Sequence, residues 1–169
     1  MPLRQLFLIV ATALTVAPLA NADDARIKYP AGYEQSFTNY LSLDRTQNPD
    51  QLIRLFANDV AMKGVAETGE FPDGSVLVAE IYKAKKDANG AVVTSRLGRR
   101  LRGNLALIAV MEKQPGWGDK FPAALKNGDW DFEAFKPDGT RAAKNLDSCR
   151  ACHAPLHQER YVFSYDHLK

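Results

Sequence analysis

The sequence predicts an α+β domain: a mainly antiparallel β-sheet with a few short helices, one of them near the C-terminus. Two patterns carry this. Short apolar runs alternate with Gly/Pro/Asp/Asn turns through the middle of the chain, and helical spacing of apolar residues is confined to its ends. A third observation, the lack of internal repeats, low-complexity tracts or a long linker, makes it one domain.

The first 22 residues read as a cleaved signal peptide. Arg4 provides a cationic start, an apolar run extends from Leu6 to about Leu19, and Ala20-Asn21-Ala22 has the small-x-small pattern of a cleavage site. The run is shorter than the roughly 20 apolar residues that span a bilayer, so no membrane anchor is expected after cleavage. Removing 22 of 169 residues leaves a domain of 147, Asp23–Lys169, enough for one hydrophobic core. An exported domain is expected, with the periplasm as its compartment.

Tyr33, Phe37, Tyr40 and Leu41 fall at helical spacing and predict a short amphipathic helix over Tyr33 to Leu41. Leu52, Ile53, Leu55 and Phe56, between turn formers, predict a strand within Asn48 to Asp59. Asn58 or Asp59 can cap a helix through Val60-Ala61-Met62 that ends near Gly64 or Gly69. Pro72-Asp73-Gly74 is a turn into a strand, Ser75 to Tyr82; Asp87-Ala88-Asn89-Gly90 is a second turn, before Ala91 to Thr94. Gly103 to Lys113 is a further apolar strand. Trp130, Phe132, Ala134 and Phe135 form another, ahead of a Pro137-Asp138-Gly139 turn. The tail from Tyr161 to Leu168 is expected to pack back as a final strand or extended segment.

Without Arg4 the chain has 21 basic and 20 acidic residues. A balance this close to neutral, without Lys/Arg blocks, gives no electrostatic footprint for nucleic acid or anionic lipid as partner.

The only two cysteines lie in Ser148-Cys149-Arg150-Ala151-Cys152-His153. Covalent attachment of a c-type haem needs two thiols about one helical turn apart, and an imidazole placed to reach the iron. Cys149 and Cys152 would form the two thioethers and His153 would be the metal ligand, with Asp147 or Ser148 capping the short helix that presents them. The competing readings fit less well. A dithiol oxidoreductase needs a βαβ context and has no use for His153. A disulfide between residues three apart closes too short a loop to add much stability. A zinc site from Cys149, Cys152 and His157 lacks a fourth ligand. His157 and His167 are read as surface residues.

With that motif at the end of a sheet-rich domain, the chain resembles the cytochrome P-460 and cytochrome c′-beta family from about Tyr33 to Tyr165. The stretches that carry the resemblance are "LIRLFANDVA", "GEFPDGSVLVAEIY", "AVMEK", "WDFEAF", "SCRACH" and "YVFSYDHL". The resemblance implies a mostly antiparallel β fold, a homodimer, and one covalent haem c whose five-coordinate iron keeps its distal side open. In the hydroxylamine-oxidising members, a lysine on the strand after the Asp-Gly turn is bonded to the porphyrin. Here that position, in Asp73-Gly74-Ser75-Val76-Leu77-Val78-Ala79-Glu80, holds Ala79. Lys83 and Lys85 share its face by strand alternation but lie about 13 and about 20 Å further along, and are read as a solvated strand end.

If Ala79 faces the haem, Leu77 and Ile81 face it too, while Val76, Val78 and Glu80 point away. Such an apolar wall suits neutral diatomic ligands such as NO and CO. Phe56 and Phe71 are the candidate distal caps, each also readable as core, and Arg54 is a candidate for a propionate or a distal ligand. An oxidoreductase acting on hydroxylamine or NO stays open as an alternative. So does an electron-transfer cytochrome with Met111 or Met62 as sixth ligand and a redox partner protein.

Overall fold

The computed structural model describes residues 26–169, so the signal-peptide reading lies outside the described residues. Five strands form one antiparallel meander in the order β1-β2-β3-β4-β5: Thr38–Asp44, Gln51–Ala57, Val76–Ala84, Arg102–Lys113 and Trp130–Phe135. Three helices accompany them: α1 (Tyr33–Ser36), α2 (Asp59–Thr68) and α3 (Leu146–His153). The α+β class is as expected.

The register sorts side chains onto two faces. Ala57, Leu77, Met111 and Phe132 form one cross-strand row, and Leu41, Leu55, Ala79, Ala109 and Ala134 form the next on the same face. Phe56, Val78 and Val110 are one row of the opposite face. Near the Ala57–Phe132 row, α2 and the C-terminal segment cover the first face, burying Ala61, Val65, Phe71, Trp130, Val162, Tyr165 and Leu168. The N-terminal segment covers the second face, where Ile27 and Tyr33 pack on Phe56, Val78, Ile108, Val110 and Phe135. Beyond the first cluster, Leu41, Leu43, Ile53, Leu55, Ala79, Ile81, Leu107 and Ala109 are only half-buried. Those rows are apolar, and the next pair on the same face, Gln51 opposite Lys83, ends the apolar strip.

Caps and turns explain the boundaries. Asn58 caps α2, its Oδ1 accepting from Ala61 N at 3.0 Å and from Val76 N at 3.1 Å, and Gly69 ends the helix in the left-handed region. Gly64 lies where Pro72 crosses the helix; a Cβ there would meet the proline ring, so only glycine fits.

Three local expectations need correction. The helix expected over Tyr33 to Leu41 stops at Ser36, and Thr38–Asp44 is strand β1. Asn145, rather than Asp147 or Ser148, caps α3, its side chain accepting from Asp147 N at 3.0 Å. The tail after α3 folds as turns with a 3-10 turn over Tyr165–His167, with no final strand. The stretch from Ala91 to Thr94 makes only isolated bridges, Val92 with Lys86 and Thr94 with Arg100.

Candidate haem site

Helix α3 packs along the edge strand β5 and is fixed there by charge. Arg150, inside the cysteine motif, is buried; its Nε and Nη2 donate to Asp131 Oδ1 at 3.2 and 2.5 Å, and its Nη1 donates to Asp147 at 2.8 Å. The guanidinium also lies 4.2 Å from the ring centroid of Phe121, and Asn127 Nδ2 donates to the Arg150 carbonyl at 3.1 Å. A fork-shaped cation spread over a carboxylate and an aromatic face sets the helix in one orientation.

That orientation brings His153 against the β5 residue next to Asp131. Its ring meets Phe132 edge-on at 5.0 Å and Phe163 at 5.0 Å. Nδ1 lies 2.7 Å from the Tyr161 carbonyl oxygen. A carbonyl only accepts, so Nδ1 carries the proton and the Nε2 lone pair is left for another partner. Burial lowers the His153 pKa, partly opposed by the Tyr161 hydrogen bond, and so favours the neutral imidazole that a metal needs. Both thiols are free; Cys149 is half-buried and Cys152 exposed, one turn apart on the helix that ends in His153.

Tyr161 is the residue that sequence reasoning missed in this role. Its φ of 66° and that of Arg160, 53°, are left-handed, a conformation that costs a bulky residue energy and persists where the surroundings enforce it. The enforcement is visible. Tyr161 N donates to Leu156 O at 2.6 Å, its hydroxyl meets His157 Nδ1 at 3.0 Å, and its ring packs on Gly128, where a Cβ would sit 3.1 Å from it. No motif in the sequence marks a residue that acts through its carbonyl. His157, engaged with that hydroxyl, is exposed, and no group of three His, Cys, Asp or Glu side chains among the described residues is arranged to hold a metal ion.

The remaining site candidates divide by face. Leu77, Ala79 and Ile81 lie on the His153 side of the sheet, as Phe132 does, and Val76, Val78 and Glu80 on the other. Arg54 and Phe56 correct an expectation, because they lie on that other face. Arg54 donates to Glu80 at 3.1 Å and stacks over Phe56, whose ring contacts Tyr33. Glu80, 1% exposed, also accepts from Tyr33 at 2.8 Å and Tyr82 at 3.0 Å, a self-contained network that holds the N-terminal segment down. Burial, then the nearby Glu80, raises the Tyr33 and Tyr82 pKa values. Phe71 is on the His153 side but buried in the core against Trp130 and Tyr165. Met111 and Met62 are half-buried against that same core.

A family model, Cytochrome P460, matches residues 30–164. The chain belongs to the cytochrome P460 family. No curated protein matches the chain. Membership of the cytochrome P460 family implies haem c, and the side chains present fit such a group: two free thiols one turn apart, an imidazole with one nitrogen already satisfied, and on the same side of the sheet an apolar floor whose central residues, Ala79 and Ala109, are small. Phe163, 58% exposed although it touches His153, is the kind of aromatic that a macrocycle would cover. In the P460 fold seen here, the cysteine helix, the Tyr161 turn and the apolar floor adjoin.

Proposed function

We propose that this P460 family member is a periplasmic protein carrying one covalent haem c, with a five-coordinate iron whose vacant side receives NO or a similar neutral diatomic ligand. Cys149 and Cys152 would hold the haem through two thioethers and His153 Nε2 would be its protein ligand. When bound, the haem supplies an open coordination position and a one-electron couple. The chain's own part is to orient and to exclude. The Tyr161 carbonyl fixes the imidazole tautomer, and a hydrogen bond to Nδ1 makes Nε2 the more basic donor. Phe132 and Phe163 hold the ring plane. Leu77, Ala79 and Ile81, with Leu55 and Ala109 beside them, offer no hydrogen bond to a polar or anionic ligand and no group that moves a proton.

The observation that carries this reading is the pairing of a satisfied His153 Nδ1 with an apolar sheet face on the same side. It favours ligand binding over hydroxylamine oxidation, because the position of the porphyrin-bonded lysine is Ala79 and the buried Glu80 network is on the other face. Methionine ligation is less favoured, since Met62 and Met111, both half-buried, pack against the core. We also propose a homodimer, which would cover apolar sheet that the haem leaves bare, and a redox partner protein that keeps the iron ferrous.

The test is an intact mass and a ferrous optical spectrum, with and without NO, of protein exported from a host with haem c maturation machinery. The expected result is a mass increase of one haem, a high-spin ferrous spectrum and a changed Soret band on adding NO. A low-spin six-coordinate ferrous spectrum without added ligand, or a mass equal to the bare polypeptide, refutes the reading.

A further inference from the structure

Overall charge balance hides a strong local asymmetry. The excursion that joins β3 to β4, with the strand ends that carry it, spans residues 83–102. It holds seven basic residues (83, 85, 86, 96, 99, 100 and 102) against one acid, Asp87. The other described residues hold 14 basic against 17 acidic side chains. Two neighbouring acids, Asp44 and Asp50, pair with Arg99 and Lys86 at 3.3 and 3.0 Å, which still leaves a local balance of +4. Lys83, Lys85 and Arg96 are exposed and have no ion-pair partner among the described residues.

This arm is braced. Arg100 donates to the carbonyls of Arg45, Asn48 and Gln51 at 2.9, 3.3 and 3.0 Å, and Lys85, Val93 and Leu101 bond to one another through their backbones. At its far end Ser95-Arg96-Leu97-Gly98 is a tight turn, closed by Gly98 N to Ser95 O at 2.9 Å, with Gly98 at φ 73°. Leu97 is thereby thrust outward, 88% exposed, the highest exposure among the large apolar side chains described, between Arg96 and Arg99.

We propose that this arm docks the protein on an anionic lipid surface, with Leu97 entering the headgroup boundary and the surrounding basic residues meeting lipid phosphates. A single leucine on a rigid tip, ringed by cations, matches an interface that is fluid and negatively charged. A protein partner would be expected to meet a broader apolar patch than one side chain. Docking through this arm depends on no part of the proposed haem site.

Co-sedimentation of the mature holoprotein with phosphatidylcholine vesicles, with and without phosphatidylglycerol, tests it. Expected is retention only on the phosphatidylglycerol vesicles, lost on raising salt. Each basic residue near such a surface strengthens binding by roughly fivefold, so Lys85→Glu with Arg96→Glu should weaken it at least tenfold. Leu97→Ser should weaken it several-fold while leaving the optical spectrum unchanged, which separates docking from folding. Equal binding to both vesicles, no binding to either, or full binding by Leu97→Ser overturns the proposal; in the second case an acidic protein surface becomes the better partner for the arm.

Discussion

Tyr161 ties the tautomer of His153 to a strained backbone, and the strain is held by what its ring touches. Gly128 is one such contact. It has φ 57°, and a Cβ would stand 3.1 Å from the Tyr161 ring. Gly128→Ala therefore meets a conformational penalty and a crowded ring together, and should destabilise by about 1–3 kcal/mol. It should also disturb the spectrum in haem-loaded protein, because the Tyr161 carbonyl moves with the ring; thermal unfolding and the ferrous Soret band are the readouts, and a lower Tm with an unchanged band would show that the carbonyl holds without the packing. Tyr40 offers a pH prediction. Its hydroxyl meets Ser164 at 2.8 Å, and burial, offset in part by that bond, pushes its pKa up to about 12. A raised folded value means the unfolded chain ionises first, so this contribution is complete below about pH 10 and is lost as pH rises towards about 12. Denaturant midpoints measured from pH 9 to 12 should fall by the equivalent of about 2 kcal/mol more in the natural protein than in Tyr40→Phe.

Among the elements, β1 shows where pattern reading fails. Its register shifts between Asn39 and Leu41, and the extra residue lets Tyr40 and Leu41 both lie on the His153 face. A bulge thus imitates the three-and-four spacing of a helix, which is why Tyr33 to Leu41 reads as one. The cap of α2 was legible because Asn before a helix has a local reason to be there. The consequence goes further than a cap: Asn58 also donates to Gly74 O at 2.8 Å and so joins α2 to the turn before β3. Asn58→Ala should cost about 1–2 kcal/mol, seen as a lower urea midpoint. Arg150 was legible only as the x of a motif. Its partner Asp131 lies 19 residues away, beyond the reach of local pattern. Arg150→Met leaves Asp131 buried with the Phe132 N–H at 2.7 Å and, as its one cation among the described residues, Arg26 at 3.8 Å, and should destabilise by about 2–4 kcal/mol. The double variant Arg150→Met, Asp131→Leu should recover much of that loss, as measured by thermal unfolding.

For the whole molecule, the sheet has two faces with two occupations, and register decides which residues go where. Alternation within β3 correctly separates Leu77, Ala79 and Ile81 from Val76, Val78 and Glu80. Assigning β2 needs the pairing of Arg54 with Glu80 and Phe56 with Val78, a non-local fact that one sequence does not contain, and so Arg54 and Phe56 were expected on the wrong side. The second face is closed by the chain's own N-terminal segment. The first is closed only at the end where α2 and the C-terminal turns lie, and its open half runs from Ala109 through Ala79 and Leu55 to Leu41, and beside that from Leu107 through Ile81 and Ile53 to Leu43. A continuous apolar surface of this kind is uncommon on a lone soluble chain. The cysteine helix lies at the β5 edge, so in the proposed homodimer the strip farthest from the cysteines, at the β1–β2 edge, is the one a second copy would cover. Ile53, paired with Leu43 and Ile81 in that remaining strip, is the position to test. A charge placed there by Ile53→Asp should convert a dimer to monomers in sedimentation equilibrium while the haem spectrum stays as it was. Dimers that survive the change would move the subunit contact off this edge, and a lost haem spectrum would instead extend the haem pocket along β2 to Ile53.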